Sequence, residues 1–471
     1  MPADRGGGVA GAPAAPAVER LLTGWGRTAP SRATVVRASR SEEVHSLLGD
    51  APGRGVIARG LGRSYGDAAQ CAGGLVIDAT GLARSCSLDS RRGVVKVDAG
   101  VSLGDLADST LPRGWFLPVT PGTRHVTVGG AVAADVHGKN HHVDGSFCDH
   151  VEGFTLVTPT GTVEVTPESE PDLFWATAGG MGLSGVVVDA TIRLQPVETV
   201  FMRVDTERAV DLDDVLARME EGDHRYQYSV AWVDLLARGP SLGRSVLTRA
   251  GHAGLDELPA PDRASALQAP PGRGPGAPSW TPPGLLSRAT VRAFNSVWFR
   301  RAPSLQRGRT QALHAFFHPL DGVPGWNRLY GRRGFVQYQF LLPFGREEAL
   351  RRAVERLSEA RCPSFLAVLK RFGPPNPGPL SFPMPGWTLA LDIPVGSPAV
   401  APLLDGIDEL VAEAGGRVYL AKDARLRPEL LEVMYPRLDE WRRVQAKVDP
   451  DGVLRSDLAR RLGLVERDRL G

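Results

Sequence analysis

An α+β fold in two domains is predicted by three observations. A β-branched run ends in a glycine-rich loop, strands and helices mix without regular βαβ alternation, and the chain is 471 residues long. One hydrophobic core rarely serves that length, so two units of roughly 200 residues each are expected. The organising stretch is Arg59-Gly60-Leu61-Gly62-Arg63-Ser64-Tyr65-Gly66-Asp67, directly after Gly55-Val56-Ile57-Ala58. Glycine accepts positive φ and has no Cβ, so such a loop lets a ligand touch its backbone, and phosphate is the ligand it suits. Gly60, Gly62 and Gly66 are spaced G-x-G-x-x-x-G, one residue too long for the dinucleotide fingerprint. The next strand, Leu75-Val76-Ile77-Asp78, follows too soon to leave room for a crossover helix. The loop therefore holds phosphate by an architecture other than the Rossmann unit.

Taken in order, residues 1–28 are rich in Ala, Gly and Pro, lack the apolar core of a signal peptide and read as a disordered tail. Ala33 to Val36 is a strand, and Ser41 is expected to cap a helix carrying Val44, Leu47 and Leu48. Val94 to Val97 is a further strand, and Ser102 caps a helix with Leu103, Leu106 and Leu111. A second glycine region follows, where Pro121-Gly122 turns and Thr127-Val128-Gly129-Gly130 opens an Ala/Val-rich helix with free N–H groups. A third, Gly179 to Gly185, precedes strands at 186–188 and 191–194, which close a first domain over 29–196.

From 197 to 414 the texture changes to strands such as Tyr226 to Trp232 and Phe335 to Phe340, where aromatic and polar residues alternate. Alternation implies a sheet with one face on a core and the other lining a site. Residues 251–283, crowded with Pro, Gly and Ala, are expected to form a mobile loop. Residues 415–471 return to the first domain through the strand Arg417 to Leu420 and Leu- and Arg-rich helices.

Composition excludes more than it selects. Lys plus Arg is 55 against 53 for Asp plus Glu, a net charge of +2 that makes no case for nucleic acid. Four cysteines without C-x-x-C spacing suit a reducing compartment. No run of about eighteen apolar residues occurs, so nothing is expected to span a membrane. The expected location is cytoplasmic, with room for peripheral contact at the inner face of the plasma membrane.

The three glycine regions in this order resemble the vanillyl-alcohol-oxidase (PCMH-type) FAD-binding family. The resemblance sharpens at Val136-His137-Gly138-Lys139-Asn140-His141-His142, Phe316-Phe317-His318-Pro319-Leu320, Leu380 to Trp387, and Ala421-Lys422-Asp423-Ala424-Arg425. Within the family these stretches are similar to the branch that oxidises C-2 of a polyprenyl-phosphoryl ribose, and they cover about residues 30–465. The resemblance implies a two-domain flavoprotein with a FAD-binding domain and a substrate domain built on an antiparallel sheet. It also implies the first half of a 2-epimerisation toward the arabinose donor of cell-wall arabinan, completed by a separate NAD(P)H-dependent short-chain reductase. Inverting an unactivated secondary alcohol calls for reversible oxidation, and the hard step belongs to a cofactor.

Residue by residue, the resemblance assigns Arg59, Gly60, Gly62, Arg63, Ser64, Tyr65, Gly66 and Asp67 to the FAD phosphates. Gly122, Thr127, Gly129, Gly130, His137, Gly138, Lys139, Asn140 and Tyr419 continue the cofactor site. Many relatives carry at the position of Arg63 a histidine bonded covalently to the flavin, and Arg cannot form that bond, so non-covalent FAD is expected. Lys422, His137 and Lys139 are the catalytic candidates. Lys422 is a fixed cation beside the ring or, if burial lowers its pKa, a base, and a neutral His137 orients the sugar hydroxyl or takes its proton. Trp232, Phe317, Gln337, Gln339, Lys370, Thr388 and Ala390 line the sugar-phosphate pocket, with Lys370 as phosphate partner. Metal is the competing reading of His137, His141, His142 and His150, but no paired carboxylates or thiolates accompany them. Thr388 and Ala390 stand where the family often has Asn and Cys, and Phe317 where Tyr is common. Two rivals keep the cradle: an alditol or aldonolactone oxidase, and a non-catalytic flavin or lipid-phosphate binding protein.

Overall fold

The structure, a computed structural model, describes residues 16–268 and 286–465. Its first sheet has four strands in the spatial order Val18–Leu22, Ser31–Arg37, Leu75–Asp78, Val56–Arg59. Val56–Arg59 and Leu75–Asp78 run parallel, and the link between them is the glycine-rich loop, with no crossover helix. The two strands are short, apolar and almost wholly buried, which suits a parallel sheet covered on both faces.

The tail assigned to residues 1–28 needs correction. Residues 1–15 lie outside the described residues, but Val18–Leu22 pairs antiparallel with Ser31–Arg37. Beyond it, Trp25 N–H donates to Ser64 O at 2.8 Å and Gly26 N–H to Tyr65 O at 3.1 Å. A Cβ on Gly24 would lie 2.1 Å from Gly66 O. Residues 23–27 are thus a second segment laid across the cradle loop, and Gly24 and Gly26, without Cβ atoms, let the two backbones touch.

The second sheet is antiparallel, in the order Cys86–Asp89, Val94–Asp98, Val186–Arg193, Val151–Thr158, Gly161–Val165. The two strands expected at 186–188 and 191–194 are one strand, whose register against Val151–Thr158 shifts between Val187 and Asp189. Ser102 caps its helix by accepting from Asp105 N–H, and Thr127 caps Val128–Ala133 by accepting from Gly130 N–H. Ser41 is the first helical residue rather than the cap, which is Arg40. Glu43 instead reaches back to Ser39 N–H at 2.7 Å.

An eight-stranded sheet follows, in the order Leu305–Ala312, Phe201–Ala209, Ser245–His252, Tyr228–Val233, Ala367–Phe372, Gly386–Pro394, Phe335–Pro343, Arg417–Val418. Strand alternation divides its faces. Tyr338 points to the helix Val400–Glu413 and donates to Asp408 at 2.7 Å. Val230, Trp232, Val246, Thr248, Gln337, Val368, Lys370 and Ala390 face a cavity on the opposite side.

Of the stretch 251–283, the first residues finish the strand Ser245–His252 and short helical turns occupy Leu255–Glu257 and Ala260–Arg263. Residues 269–283 lie outside the described residues. At the C-terminal end, Arg417–Val418 belongs to the large sheet, and Leu420–Lys422 is a 3-10 turn rather than strand. The chain then crosses back. Val56 N–H donates to Val453 O and Arg455 N–H to Val56 O, each at 2.9 Å. Arg461 grips Asp67 at 2.8 and 3.0 Å.

Candidate active site

Between the large sheet and the glycine loops lies a cavity of about 460 Å³. One wall is backbone. Gly60, Gly62, Gly122, Gly129 and Gly130 line it together with Arg63, Ser64, Tyr65 and Thr127. Among the described residues the N–H groups of Gly60 through Ser64 make no hydrogen bond, whereas Tyr65 N–H is tied to Ala421 O at 3.0 Å. Consecutive N–H donors left unpaired in a concave loop are what an anionic oxygen satisfies. A phosphate-bearing cofactor fits this wall.

The opposite wall is cationic and buried. Lys139, Lys370 and Lys422 all line the cavity. Burial pushes the Lys139 ammonium down to about 7; it donates to Phe316 O and sits 4.2 Å above the Phe316 ring. Lys370 is held well below the ordinary lysine range by burial and then by its two lysine neighbours, and donates to Gly138 O at 3.3 Å. Lys422 is lowered by burial, against the opposing pull of Asp392, and lies 5.8 Å from the Tyr65 ring. Asp392 is raised by burial, accepts from Gln337 at 2.6 Å and from Tyr330 at 3.1 Å. Three buried lysines around one cavity, of which Lys422 alone feels a carboxylate, favour an anion in the space between them.

His137 lines the same cavity and is neutral, its pKa driven down by burial and by Lys370 and Lys422. Its tautomer is set by a relay. Thr388 Oγ1 donates to Phe340 O at 2.9 Å, so it accepts from Gln339 Nε2 at 2.9 Å. Gln339 Nε2 then has its second hydrogen for His137 Nε2 at 3.0 Å. The His137 proton consequently sits on Nδ1, which has no partner among the described residues.

The remaining predicted residues divide into two groups. Gly138 and Tyr419 line the cavity, Tyr419 anchored by its hydroxyl to Ala134 O at 2.7 Å. Phe317 and Trp232 line it too, Trp232 fixed by Nε1 to Phe365 O at 3.0 Å. Six others do not line it. Arg59 spends its guanidinium on Thr23 O and Ala69 O, Gly66 abuts Asp423 O, and Asp67 is the partner of Arg461. Asn140 donates to Pro118 O and Asp144, while Gln339 and Thr388 stand behind His137. These six shape the loops and orient the groups that line the cavity. His141, His142 and His150 each bond backbone: His141 Nδ1 accepts from Gly373 N–H, and His142 and His150 meet Tyr226 O and Asp144 O.

Several lining residues escaped the sequence reading. Trp25, which stacks 3.8 Å under the Arg63 guanidinium, lay inside the presumed tail. Trp298 comes from the helix Arg288–Arg301. Asp392 does not line the cavity but accepts from Gln337, which does; it also escaped the sequence reading, and a lone acid in a largely apolar strand was the available signal.

The fold and the site define a protein built to hold a phosphate-bearing cofactor, and comparison gives the cofactor and the oxidoreductase class. Residues 32–166 match the FAD binding domain family and residues 394–462 the D-arabinono-1,4-lactone oxidase family. The decaprenylphosphoryl-β-D-ribose oxidase of Mycolicibacterium smegmatis is 44% identical over 456 residues, covering 96% of this chain and 99% of the relative. An uncharacterised protein of Streptomyces coelicolor is 47% identical over 371 residues, 77% of this chain and 100% of its own length. An L-gulono-1,4-lactone dehydrogenase of Mycobacterium tuberculosis is 27% identical over 444 residues, 92% and 96% of the two chains. FAD is the cofactor, and the chain belongs to the decaprenylphosphoryl-β-D-ribose oxidase family of FAD-dependent oxidoreductases.

Proposed function

We propose that this enzyme oxidises the C-2 hydroxyl of a polyprenyl-phosphoryl-β-D-ribose to the 2-keto sugar. The observation that carries the reading is the cluster of Lys139, Lys370 and Lys422 around one cavity, beside a relay that presents His137 Nδ1–H. A sugar phosphate brings a negative charge into a cavity lined by three buried lysines, with Lys370 as its partner, and hydroxyls that a fixed imidazole N–H can orient.

FAD, when bound, supplies the acceptor for the hydride that leaves C-2. The chain's own residues do the rest. Gly60 to Ser64 offer backbone donors to the cofactor phosphates, and Arg63, stacked on Trp25, leaves FAD unattached to the protein by any covalent bond. Lys370 pairs with the substrate phosphate. His137 holds a sugar hydroxyl as a donor, because its Nε2 is occupied by Gln339. The hydroxyl proton passes to an amine whose pKa burial has brought toward neutrality, and Lys422 is that base. Ala390 and Phe317 add shape without polar contacts, so sugar recognition rests on fewer hydrogen bonds than an Asn, Cys and Tyr set would supply. A separate NAD(P)H-dependent reductase completes the epimerisation, and the lipid tail of the substrate implies contact with a membrane surface.

The lactone oxidase match over 394–462 favours one alternative, oxidation of a free aldonolactone. It covers the C-terminal segment alone, against nearly full-length similarity at 44% identity for the ribose oxidase. An anaerobic titration decides. Bleaching of the flavin absorbance by the lipid-linked ribose and not by free aldonolactones is expected; the reverse preference overturns the proposal. Acid precipitation should release all the yellow colour to the supernatant, and colour retained in the pellet would refute non-covalent FAD.

A further inference from the structure

A second cavity, of about 580 Å³, lies on the other flank of the helix Arg288–Arg301. Six arginines line it, Arg238, Arg244, Arg288, Arg292, Arg300 and Arg361, with Asp234 as the single carboxylate. Asp234 is already committed: Arg244 grips its Oδ2 through two nitrogens at 2.7 and 3.0 Å, and Asn295 donates to its Oδ1 at 2.7 Å. Arg238 caps Ser358 O and Glu359 O. Arg288, Arg292, Arg300 and Arg361 have no carboxylate partner among the described residues. Guanidiniums collected around one space repel each other unless an anion enters, and their planar forks match phosphate oxygens.

The helix explains how this cluster meets the rest of the surface. Arg288, Arg292, Ser296 and Arg300 recur every fourth residue and line the arginine cavity. Val291 and Asn295 are buried against the body. Phe294, Val297 and Trp298 are 46%, 49% and 50% exposed, and Trp298 lines the catalytic cavity. One helix is therefore a wall of both cavities, basic on one side and apolar on the other. The chain continues into the exposed edge strand Leu305–Ala312, which carries Arg307 and Arg309.

We propose that the arginine cavity binds the phosphate of an anionic lipid headgroup and that the Arg288–Arg301 helix docks the enzyme on a membrane, with its exposed apolar side chains in the acyl boundary. An amphipathic helix with arginine beside Phe, Val and Trp has the composition of an interfacial helix. A free phosphate would satisfy the arginines but gives no role to the apolar flank, which is why a lipid is assigned. Docked this way, the mouth beside Trp298 faces the surface from which a lipid-linked substrate arrives. The inference deepens the membrane contact proposed above and does not depend on which sugar is oxidised, because vesicle binding is measured without turnover.

The test is co-sedimentation of the full-length, FAD-loaded protein with vesicles of phosphatidylcholine alone or with one-third phosphatidylglycerol. Binding to the anionic vesicles only, weakened by salt, is expected. The triple variant Arg288→Gln, Arg292→Gln, Arg300→Gln should lose on the order of a hundredfold in partitioning, and Val297→Ser several-fold. Because the triple variant could misfold, its flavin spectrum and melting temperature are compared with the parent, and Arg238→Gln with Arg361→Gln tests the facing wall separately. Equal binding to neutral vesicles, no binding to either, or undiminished binding by both sets of folded variants overturns the proposal. So does stabilisation by inorganic phosphate, lost in the triple variant, in a protein that ignores vesicles; that result would assign a free anion instead.

Discussion

Gln339 Nε2 lies 3.0 Å from His137 Nε2 and gives it a hydrogen. The direction follows from Thr388, whose own hydroxyl hydrogen goes to the Phe340 carbonyl and which can therefore only accept from the same amide. A strand of the large sheet thus sets the protonation of a histidine in the glycine-rich half of the molecule.

The first expectation concerns that tautomer. Nitrogen NMR of histidine-labelled protein should show His137 neutral at pH 7 with its proton on Nδ1, and Gln339→Leu should release the preference. Flavin reduction should slow by roughly ten- to a hundredfold in Gln339→Leu with FAD retained, the cost of a misdirected ring. A proton on Nε2 in the parent enzyme would discard the relay.

Lys422→Ala should bind FAD normally but lose on the order of 10²–10⁴ in the rate of flavin reduction by substrate. Stopped-flow bleaching under anaerobic conditions measures it. Unchanged kinetics would remove Lys422 as the base.

Burial of Lys139 makes stability depend on pH with a definite sign. Its pKa is about 7 in the folded protein and roughly 10.4 in an unfolded chain. Below about pH 7 both states hold the proton and the full cost of burying an ammonium is present. Above it the unfolded chain alone keeps the proton, so this group's contribution rises with pH, by up to about 1.4 kcal/mol per unit. Urea melts of the cofactor-free parent and Lys139→Met should therefore converge or cross in favour of the parent between about pH 7 and 9. Parallel curves would place the charge in solvent.

Two glycines of the cavity region should respond differently to alanine. A Cβ on Gly66 would stand 1.9 Å from the Asp423 carbonyl, whereas one on Gly122 meets nothing within 4 Å. Gly66→Ala should cost about 1–3 kcal/mol of stability by forcing two backbones apart. Gly122→Ala should stay within about 0.5 kcal/mol and act on FAD affinity alone. Thermal melts with and without FAD separate the two, and equal melting temperatures would refute the close approach.

Ala390 lines the cavity, while Cys71, Cys148 and Cys362 are buried elsewhere and Cys86 is exposed. An electrophile that enters the cavity should label Ala390→Cys and leave the parent unlabelled there, with flavin reduction intact in both before labelling. Peptide mass mapping reads the site. Modification of the parent within this cavity would contradict the assignment.

The local order of residues was enough to read the glycine loop, the cap at Ser102, the helix opening at Thr127 and the alternation along Phe335 to Phe340, because each follows from spacing over a few positions, whereas the motifs carrying Lys139 and Lys422 were legible only through resemblance to a family. Tertiary structure decided which residues of those motifs line the cavity. Arg59, Gly66 and Asp67 stand in the cradle motif yet hold Thr23, Asp423 and Arg461, partners up to 394 positions away. The same distance hid Trp25, whose place under Arg63 depends on a backbone pairing between residues 25–26 and 64–65. Burial is likewise a property of the assembled molecule: three lysines indistinguishable from surface lysines along the chain become weakly basic only when the large sheet and the glycine loops close around them.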